Sequence, residues 1–214
     1  MLGAGDGLLT NISLVLGVAG ANPGAGAVRL AGLAGLLAGA FSMAAGELVS
    51  VRAQDELAQR EIEVERSELE EDPKAERREL TSMLRVRGLP AEEARTVSHI
   101  ISAYPAAALD AHVRLELGID PTRSGSARQA AVASFISFAS GAVLPLLPWF
   151  FIGGTGAIVA SIIIGAVAAL LLGGAIGAFT GRGIVRTARR QLTAAVVAAA
   201  VTFGVGRLLG TQTG

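Results

Sequence analysis

Acidic side chains recur at short intervals in one charged segment of an otherwise apolar chain. Glu65 and Glu68 are three residues apart, and so are Glu76 and Glu79. Residues at this spacing are neighbours on one face of a helix, so each pair holds two like charges close together. A cation bound between such carboxylates relieves their repulsion. Because arginines are interleaved with these acids, the spacing fits either a divalent-metal site or a solvated, charged helix surface.

A histidine and a further acid, His112 and Glu116, lie one helical turn apart later in the same segment. Carboxylate oxygens combined with one imidazole nitrogen suit a divalent ion such as Fe²⁺ or Mn²⁺. The sequence contains no cysteine, which excludes disulfides and thiolate metal sites. The other histidine, His99, has apolar neighbours, and we expect it to be a packed core residue rather than a ligand.

The composition indicates which elements must position these residues. The chain has 214 residues, of which 51% are hydrophobic, and a mean hydropathy of +0.55. Five apolar stretches are each close to the length of about 20 residues that a helix needs to cross a bilayer. They cover residues 2–22, 28–51, 127–151, 154–179 and 188–209. We therefore predict an all-α membrane protein with five transmembrane helices and a helical domain inserted between helices two and three.

The predicted domains are 1–52 (transmembrane helices one and two), 53–125 (the helical metal-binding domain) and 126–214 (transmembrane helices three to five). No helix breaker lies between Val51 and Glu71, so the second span is expected to continue into the domain. Asp72 and Pro73 together are typical of an N-cap followed by a first-turn proline. Further breakers delimit the next two helices: Gly88, Pro90, Pro105 and Gly118.

The distribution of basic residues predicts the orientation. Four arginines lie at the junction of the fourth and fifth spans, Arg182 and Arg186 between them and Arg189 and Arg190 at the start of the fifth, whereas the "LPWFFIGG" loop on the opposite side has no charge. Loops rich in Lys and Arg stay on the cytoplasmic side of a membrane, so the domain and the N-terminus are predicted inside and the C-terminus outside. The formal net charge is zero, which gives no argument for a nucleic-acid partner.

Ionisable and small residues mark the first two spans. Asp6 lies in the first span, and Gly35, Gly39, Met43 and Glu47 recur every four residues in the second. A charged group at bilayer depth costs at least about 2.5 kcal/mol, so such acids are usually functional. The alternatives are a frayed terminus around Asp6, a structural hydrogen bond for Glu47 and ordinary packing for Met43. The glycine stripe permits close helix packing and predicts a dimer around spans one and two.

At these residues the chain resembles a known family. The segments "GDGLLTNISLVLGVAGA", "GAFSMAAGELVSVRAQ" and "ELGID", with the acidic helices between them, are similar to the vacuolar iron transporters and their bacterial and nodulin-like relatives. The resemblance covers essentially the whole chain. It implies a homodimer, a cytoplasmic domain that gathers Fe²⁺, and a membrane path that exchanges metal for protons. By the same resemblance, Asp6, Met43 and Glu47 match the path, and Glu65, Glu68, Glu76, Glu79 and Glu116 match the metal-binding domain.

His112 departs from this pattern, because family members can carry a methionine as a metal ligand in that helix. Imidazole is a harder donor than a thioether and accepts a proton, which leaves metal preference open among Fe²⁺, Mn²⁺, Co²⁺ and Zn²⁺. The expected function is export or sequestration of cytosolic Fe²⁺ by exchange with protons, with the metal as substrate and no prosthetic group. The open alternatives are an uncoupled Fe²⁺/Mn²⁺ channel, a manganese-preferring transporter, and the membrane module of a ferritin-like fusion protein.

An enzyme is not expected. Both histidines lie in the polar segment, no serine-centred nucleophile motif is present, and the Glu-x-x-His pattern of di-iron carboxylate proteins is missing. The Ala-, Gly- and Arg-rich composition favours a bacterial inner membrane, or a vacuolar-type membrane if the source is eukaryotic.

Overall fold

The computed structural model describes residues 2–120 and 126–210. Within these two ranges the chain is helical throughout its regular structure, with eight α-helices and a short 3₁₀ segment at Leu147–Phe150. The helices are α1 (Leu2–Gly20), α2 (Ala25–Glu71), α3 (Pro73–Val86), α4 (Ala91–Ser102), α5 (Pro105–Leu115), α6 (Ala127–Leu146), α7 (Gly154–Thr180) and α8 (Ile184–Gly210).

Four of the described helices are long and apolar enough to cross a membrane. They are α2, α6 together with the 3₁₀ segment that follows it, α7 and α8. The chain is therefore a multi-pass, all-α membrane protein, as predicted. α1 has 19 residues, about 28 Å at 1.5 Å per residue, and its role as a fifth crossing stays a prediction.

The residues divide into two compact units, Met1–Leu48 with Arg128–Gly214, and Val49–Ala127. α2 runs without interruption over 47 residues and contributes to both units, which confirms the predicted continuity of the second span. The absence of a breaker in its sequence explains this, because neither proline nor a left-handed residue interrupts the hydrogen-bond ladder.

In the first unit, apolar clusters join helices that are distant in sequence. Val15 and Ala19 of α1 pack with Val28 of α2, with Leu146 at the end of α6 and with Trp149 in the 3₁₀ segment. A second cluster joins α1, α7 and α8 through Leu8, Ala168, Ala169 and Ala195. These contacts place α1 among the apolar helices.

Glycines allow two of these helices to meet backbone to backbone. A methyl group added at Gly7 of α1 would overlap the carbonyl oxygen of Phe138 in α6. One added at Gly141 of α6 would overlap the carbonyl oxygen of Ala4. Close approach of this kind is what small residues permit in membrane helix packing. The contact fixes α1 beside α6 at the level of Asp6.

Candidate metal centre

The turn between α2 and α3 brings two glutamates together. Asp72 has non-helical angles (φ −135°, ψ 73°) and its side chain accepts hydrogen bonds from the backbone of Lys74 and Ala75, with Pro73 as first helical residue. Had the helix continued, Glu65 and Glu76 would lie about 16 Å apart along its axis. The N-cap at Asp72 instead starts a new helix, as predicted, and both carboxylates approach one point.

α5 supplies the third and fourth groups. It begins at Pro105 and its last turn carries His112, with Glu116 as the capping residue. Gly118 adopts φ +66°, a conformation that favours glycine, and the following Ile119 N–H donates to the Val113 carbonyl at 3.1 Å. The Arg87 guanidinium also donates to the Leu115 carbonyl. The end of α5 is therefore held against the end of α3.

Three carboxylates converge on the His112 imidazole. Its Nδ1 atom lies 2.9 Å from Glu65 Oε1, 3.4 Å from Glu116 Oε2 and 3.7 Å from Glu76 Oε2. His112 and Glu65 are buried, Glu76 is partly buried and Glu116 is exposed. Glu116 and Glu76 thus form the accessible side of a cluster whose other half is enclosed.

Two buried polar atoms of this cluster have no hydrogen-bond partner within the described residues. Glu65 Oε1 lies 2.9 Å from His112 Nδ1, yet this oxygen accepts no hydrogen bond within the described residues. His112 Nε2 is also buried without a partner there. Buried polar atoms are normally satisfied, so an arrangement of this kind is expected where a ligand completes the coordination.

Burial and mutual repulsion perturb the carboxylates. The pKa of Glu65 is raised from 4.5 to about 7, chiefly because burial disfavours the charged form and then because Glu116 lies nearby. The His112 imidazole lowers that pKa in part, while Glu76 and Glu68 raise it further. The pKa of Glu76 is likewise raised, mainly by burial and next by Glu79. At neutral pH a metal ion must therefore compete with protons for the carboxylate oxygens of this cluster.

The dimensions suit a divalent ion. One ligand atom each from Glu65, His112 and Glu116 lie within 4.8 Å of one another. In an octahedral site with ligands about 2.1 Å from the ion, adjacent ligands are about 3 Å apart and opposite ligands about 4.2 Å apart. The distances of 2.9 and 3.4 Å from His112 Nδ1 are close to the adjacent separation. Mixed oxygen and nitrogen donors are acceptable to Fe²⁺, Mn²⁺, Co²⁺ and Zn²⁺.

The other predicted ligands lie at the edge of this cluster. Glu68 and Glu79 are exposed, and no ion pair or side-chain hydrogen bond holds either of them among the described residues. Their charges contribute to the raised pKa values of Glu65 and Glu76, so they lie within electrostatic reach. The acids interpreted as two pairs therefore form one cluster around His112, with Glu68 and Glu79 on its outer side.

The expectation for His99 was wrong. This residue is exposed on α4, and its Nδ1 lies 3.3 Å from Arg77 Nη1. The apolar residues near it in sequence suggested a position in the core. The buried face of α4 is instead formed by Ala94 and Ser98.

The membrane-path candidates are only partly brought together. Met43 is partly buried beside Phe138, and its sulfur lies 3.4 Å from the position that a Cβ at Gly3 would occupy. Asp6 is three residues beyond Gly3 on α1, which makes the two neighbours on the helix surface. Asp6 and Glu47 are both exposed in the single chain, and among the described residues no hydrogen bond or ion pair joins them.

The glycine stripe has partners inside the chain. A Cβ at Gly35 would overlap Leu14 of α1, and one at Gly39 would overlap the ring of Phe138. The stripe therefore serves packing within one chain and does not by itself argue for a dimer.

Asn11 was not identified as a candidate from the sequence. Its Nδ2 donates to the Ala142 carbonyl at 2.6 Å, and its Oδ1 is fully buried without a hydrogen-bond partner among the described residues. That oxygen lies 3.3 Å from the position of a Cβ at Gly35. An amide within an apolar stretch was the available signal, since polar groups at bilayer depth are seldom accidental.

The raised pKa of Glu65 predicts how the stability of the metal-free unit depends on pH. Between about pH 4.5 and 7 the folded chain binds a proton that the unfolded chain releases, so the free energy of unfolding falls as pH rises through this window. Glu65→Gln should flatten the profile and raise the stability of the metal-free unit at pH 8 by about 1–3 kcal/mol. Amide hydrogen exchange in α5 of the full chain, corrected for intrinsic rates, measures this.

A matched control is Glu70→Gln, which removes an exposed acid of the same helix outside the cluster. It should leave the pH profile unchanged. Equal exchange protection of α5 at pH 5 and pH 8 in the metal-free wild type would contradict the prediction.

This protein is a multi-pass all-α membrane protein, because four of its described helices are long and apolar enough to cross a bilayer. Its helical unit carries a cluster of acids around one imidazole. The chain matches the VIT family over residues 1–207. It is 31% identical over 208 residues to the vacuolar iron transporter of Centaurea cyanus, which covers 97% of this chain and 85% of that protein. It is also 31% identical over 210 residues to vacuolar iron transporter 1 of Arabidopsis thaliana, with 98% and 84% covered.

A relative from rice, Oryza sativa subsp. japonica, named vacuolar iron transporter homolog 1, is 36% identical over 211 residues, with 98% of this chain and 72% of that protein covered. The chain therefore belongs to the VIT family. In a transporter family of this kind the metal is the transported substrate rather than a prosthetic group.

Proposed function

We propose that this protein transports divalent metal ions, with Fe²⁺ as substrate, out of the cytosol in exchange for protons. The observation that carries the proposal is the convergence of Glu65, Glu76 and Glu116 on the buried His112 imidazole. Family membership supports it, since curated relatives are named vacuolar iron transporters. The same cluster serves Mn²⁺, Co²⁺ or Zn²⁺ on chemical grounds.

The proposed role of the cluster is capture. Glu116 and Glu76 offer the accessible oxygens, and Glu65 and His112 complete the coordination from the enclosed side. Glu68 and Glu79 draw cations towards it through their negative charge. Binding releases the proton that Glu65 holds near neutral pH, because a coordinating carboxylate must be deprotonated. Capture is therefore expected to weaken as pH falls below about 7.

The proposed membrane path uses Glu47, Met43 and Asp6. Oxygen and thioether donors replace part of the hydration shell of the ion, and each carboxylate takes up a proton when the metal leaves. Competition between metal and proton for the same oxygens supplies the coupling. A carboxylate in an apolar helix gains more from this exchange than one in water, since the bare charge is costly there.

The proposed arrangement has five crossings, α1 included, with the Val49–Ala127 unit in the cytoplasm as an inserted metal-binding domain. We also propose a homodimer. Asp6 and Glu47 are exposed in the single chain, as are Leu33, Leu37 and Phe41 on α2. A second copy packed along α1 and α2 would cover these acids. The membrane is the bacterial inner membrane, or a vacuolar-type membrane in a eukaryote, and the protein is not an enzyme.

The test is metal flux into proteoliposomes, with and without an imposed pH gradient, for Fe²⁺ under anaerobic conditions and for Mn²⁺, Co²⁺ and Zn²⁺. Proton movement is followed with an entrapped pH dye. Coupled transport gives metal flux that accelerates with the gradient and a matching proton flux in the opposite direction.

Flux that ignores the gradient would instead make the protein a channel, and Mn²⁺ flux well above Fe²⁺ flux would make it a manganese transporter. Absence of flux for all four metals, in vesicles whose protein is shown to be folded, would overturn the proposal.

A further inference from the structure

A basic groove lies between α3 and α4 on the Val49–Ala127 unit. Its volume is about 540 Å³, and we refer to it as the arginine groove. The residues that line it are Arg77, Arg78, Thr81, Ser82 and Arg85 from α3 and Ala91, Arg95, Ser98 and His99 from α4. Four guanidinium groups and one imidazole thus face a cavity lined by no acidic residue.

Helical spacing explains how α3 serves two purposes. Positions 77, 78, 81, 82 and 85 follow the four-residue recurrence of one helix face, and they all line the groove. Glu76, on the same helix, faces the His112 cluster instead. Positive charge is therefore concentrated on one side of a unit that is acidic as a whole, with 16 Asp and Glu against 11 Lys and Arg between residues 49 and 127.

The guanidinium groups have few anionic partners. Within the described residues, the one ion pair made by a groove arginine joins Arg95 to Glu92, at 2.6 Å and largely exposed. Arg77 approaches the imidazole of His99 at 3.3 Å rather than a carboxylate. Arg78 and Arg85 form no ion pair there. Elsewhere in the unit, arginines form ion pairs with acids, as Arg114 does with Asp110 and Asp120.

Polar side chains form the floor of the groove. Thr81 Oγ1 and Ser98 Oγ are 2.6 Å apart, so one hydroxyl donates to the other. The accepting hydroxyl donates its own proton to a backbone carbonyl, that of Arg77 for Thr81 or that of Arg95 for Ser98. Ser98 is buried, so this hydroxyl pair bridges α3 to α4 beneath the arginines. The floor therefore fixes the spacing of the two helices, and hence the separation of the guanidinium groups on either wall.

We propose that the arginine groove binds a small anion that bears a phosphate group, either free phosphate or the headgroup of an acidic phospholipid. Guanidinium groups present planar pairs of N–H donors that match phosphate oxygens. Hydrogen bonds between two charged groups are stronger than those between neutral groups. Arg78 and Arg85 lie on one wall and Arg95 and His99 on the other, so both helices offer donors to a phosphate in the groove. A phosphate monoester carries a second negative charge, which matches the excess of positive charge from the four arginines of the groove.

The inference does not depend on metal transport. Its residues differ from those of the His112 cluster, so loss of phosphate binding and loss of metal binding are separable in one sample.

The experiment uses the full chain in detergent, free of metal. Titration calorimetry with inorganic phosphate measures binding of the free ion. Native mass spectrometry with dioctanoyl phosphatidic acid, against dioctanoyl phosphatidylcholine, measures binding of a lipid headgroup. The variant Arg78→Gln with Arg85→Gln should raise the dissociation constant for the phosphate probe at least about tenfold. It removes charge-assisted hydrogen bonds, which are stronger than neutral ones.

The charge-matched control is Arg52→Gln with Arg60→Gln, two exposed arginines of α2 outside the groove. It should bind as the wild type does. Arg78→Lys with Arg85→Lys keeps the charge without the planar donor pair, and its affinity should fall between the two. Helix content measured by circular dichroism serves as a check of folding in every variant.

Binding of either probe with this pattern supports the inference, and the probe that binds identifies the source of the phosphate. If neither probe binds the wild type, or if the control pair loses as much affinity as the groove pair, the inference is wrong.

Discussion

Replacing both Glu65 and Glu76 with glutamine is expected to weaken Mn²⁺ or Fe²⁺ binding to the full chain by more than about a hundredfold. That figure is the upper end for loss of groups that merely support a metal ligand, and these two carboxylates are proposed as ligands themselves. Glutamine keeps the volume and one carbonyl oxygen but removes the charge. Both carboxylates approach His112 Nδ1, so their loss leaves one acid, Glu116, beside the imidazole.

The same double variant should be more stable than the wild type without metal. The pKa values of both groups are raised, which means that their charged forms are disfavoured in the fold. Titration calorimetry of Mn²⁺ and α5 hydrogen exchange in the same preparation separate lost binding from lost structure. Glu56→Gln with Glu70→Gln removes two exposed acids of α2 and should bind metal normally. Unchanged metal affinity in the Glu65 and Glu76 double variant would show that these acids are not metal ligands.

Asp6→Asn is expected to stop proton-coupled metal flux, reducing it by more than about a hundredfold, while metal binding to the His112 cluster stays near normal. Asparagine keeps the shape of aspartate but cannot exchange a proton for a cation. An ionisable group among apolar helices is costly, which is the reason to assign it a function rather than a packing role. Vesicle assays of metal flux and of proton movement measure the effect.

Met43→Leu is the companion variant, because it nearly conserves volume and removes only the sulfur. It should reduce flux less than Asp6→Asn does. Asp55→Asn provides a control aspartate in the other unit and should transport normally. Wild-type flux in Asp6→Asn that is still linked to protons would remove Asp6 from the mechanism and shift the coupling role to Glu47.

The helices could be predicted from sequence because their signals are local. Apolar length identified α2, α6, α7 and α8, and the Asp72–Pro73 pair located the start of α3. The link between α2 and the charged unit followed from the absence of a breaker. Local chemistry of this kind does not depend on which distant segments meet.

Tertiary contacts explain what the sequence did not reveal. Spacing suggested three separate pairs of ligands, whereas burial of Glu65 against His112, 47 residues away, makes one cluster. The partners of Gly35 and Gly39 are Leu14 and Phe138, which no periodicity within α2 could indicate. Exposure of His99 depends on how α4 is rotated against α3, which its sequence neighbours Ser98 and Ile100 do not reveal.

The close approach of α1 and α6 at Gly7 and Gly141 also has a consequence for which substitutions the chain tolerates. In a water-soluble protein the least tolerant positions are large side chains in the core, because their truncation leaves a cavity. Here even alanine at Gly7 or Gly141 would collide with a carbonyl oxygen, whereas Leu30 and Phe179 are 72% and 79% exposed on the outside of their unit. In a saturation library selected for metal tolerance, the smallest residues of α1 and α6 would be the most depleted of substitutions. The largest residues on the outer surface would tolerate exchange for other apolar side chains, so side-chain size and mutational constraint would be inversely related across this part of the chain.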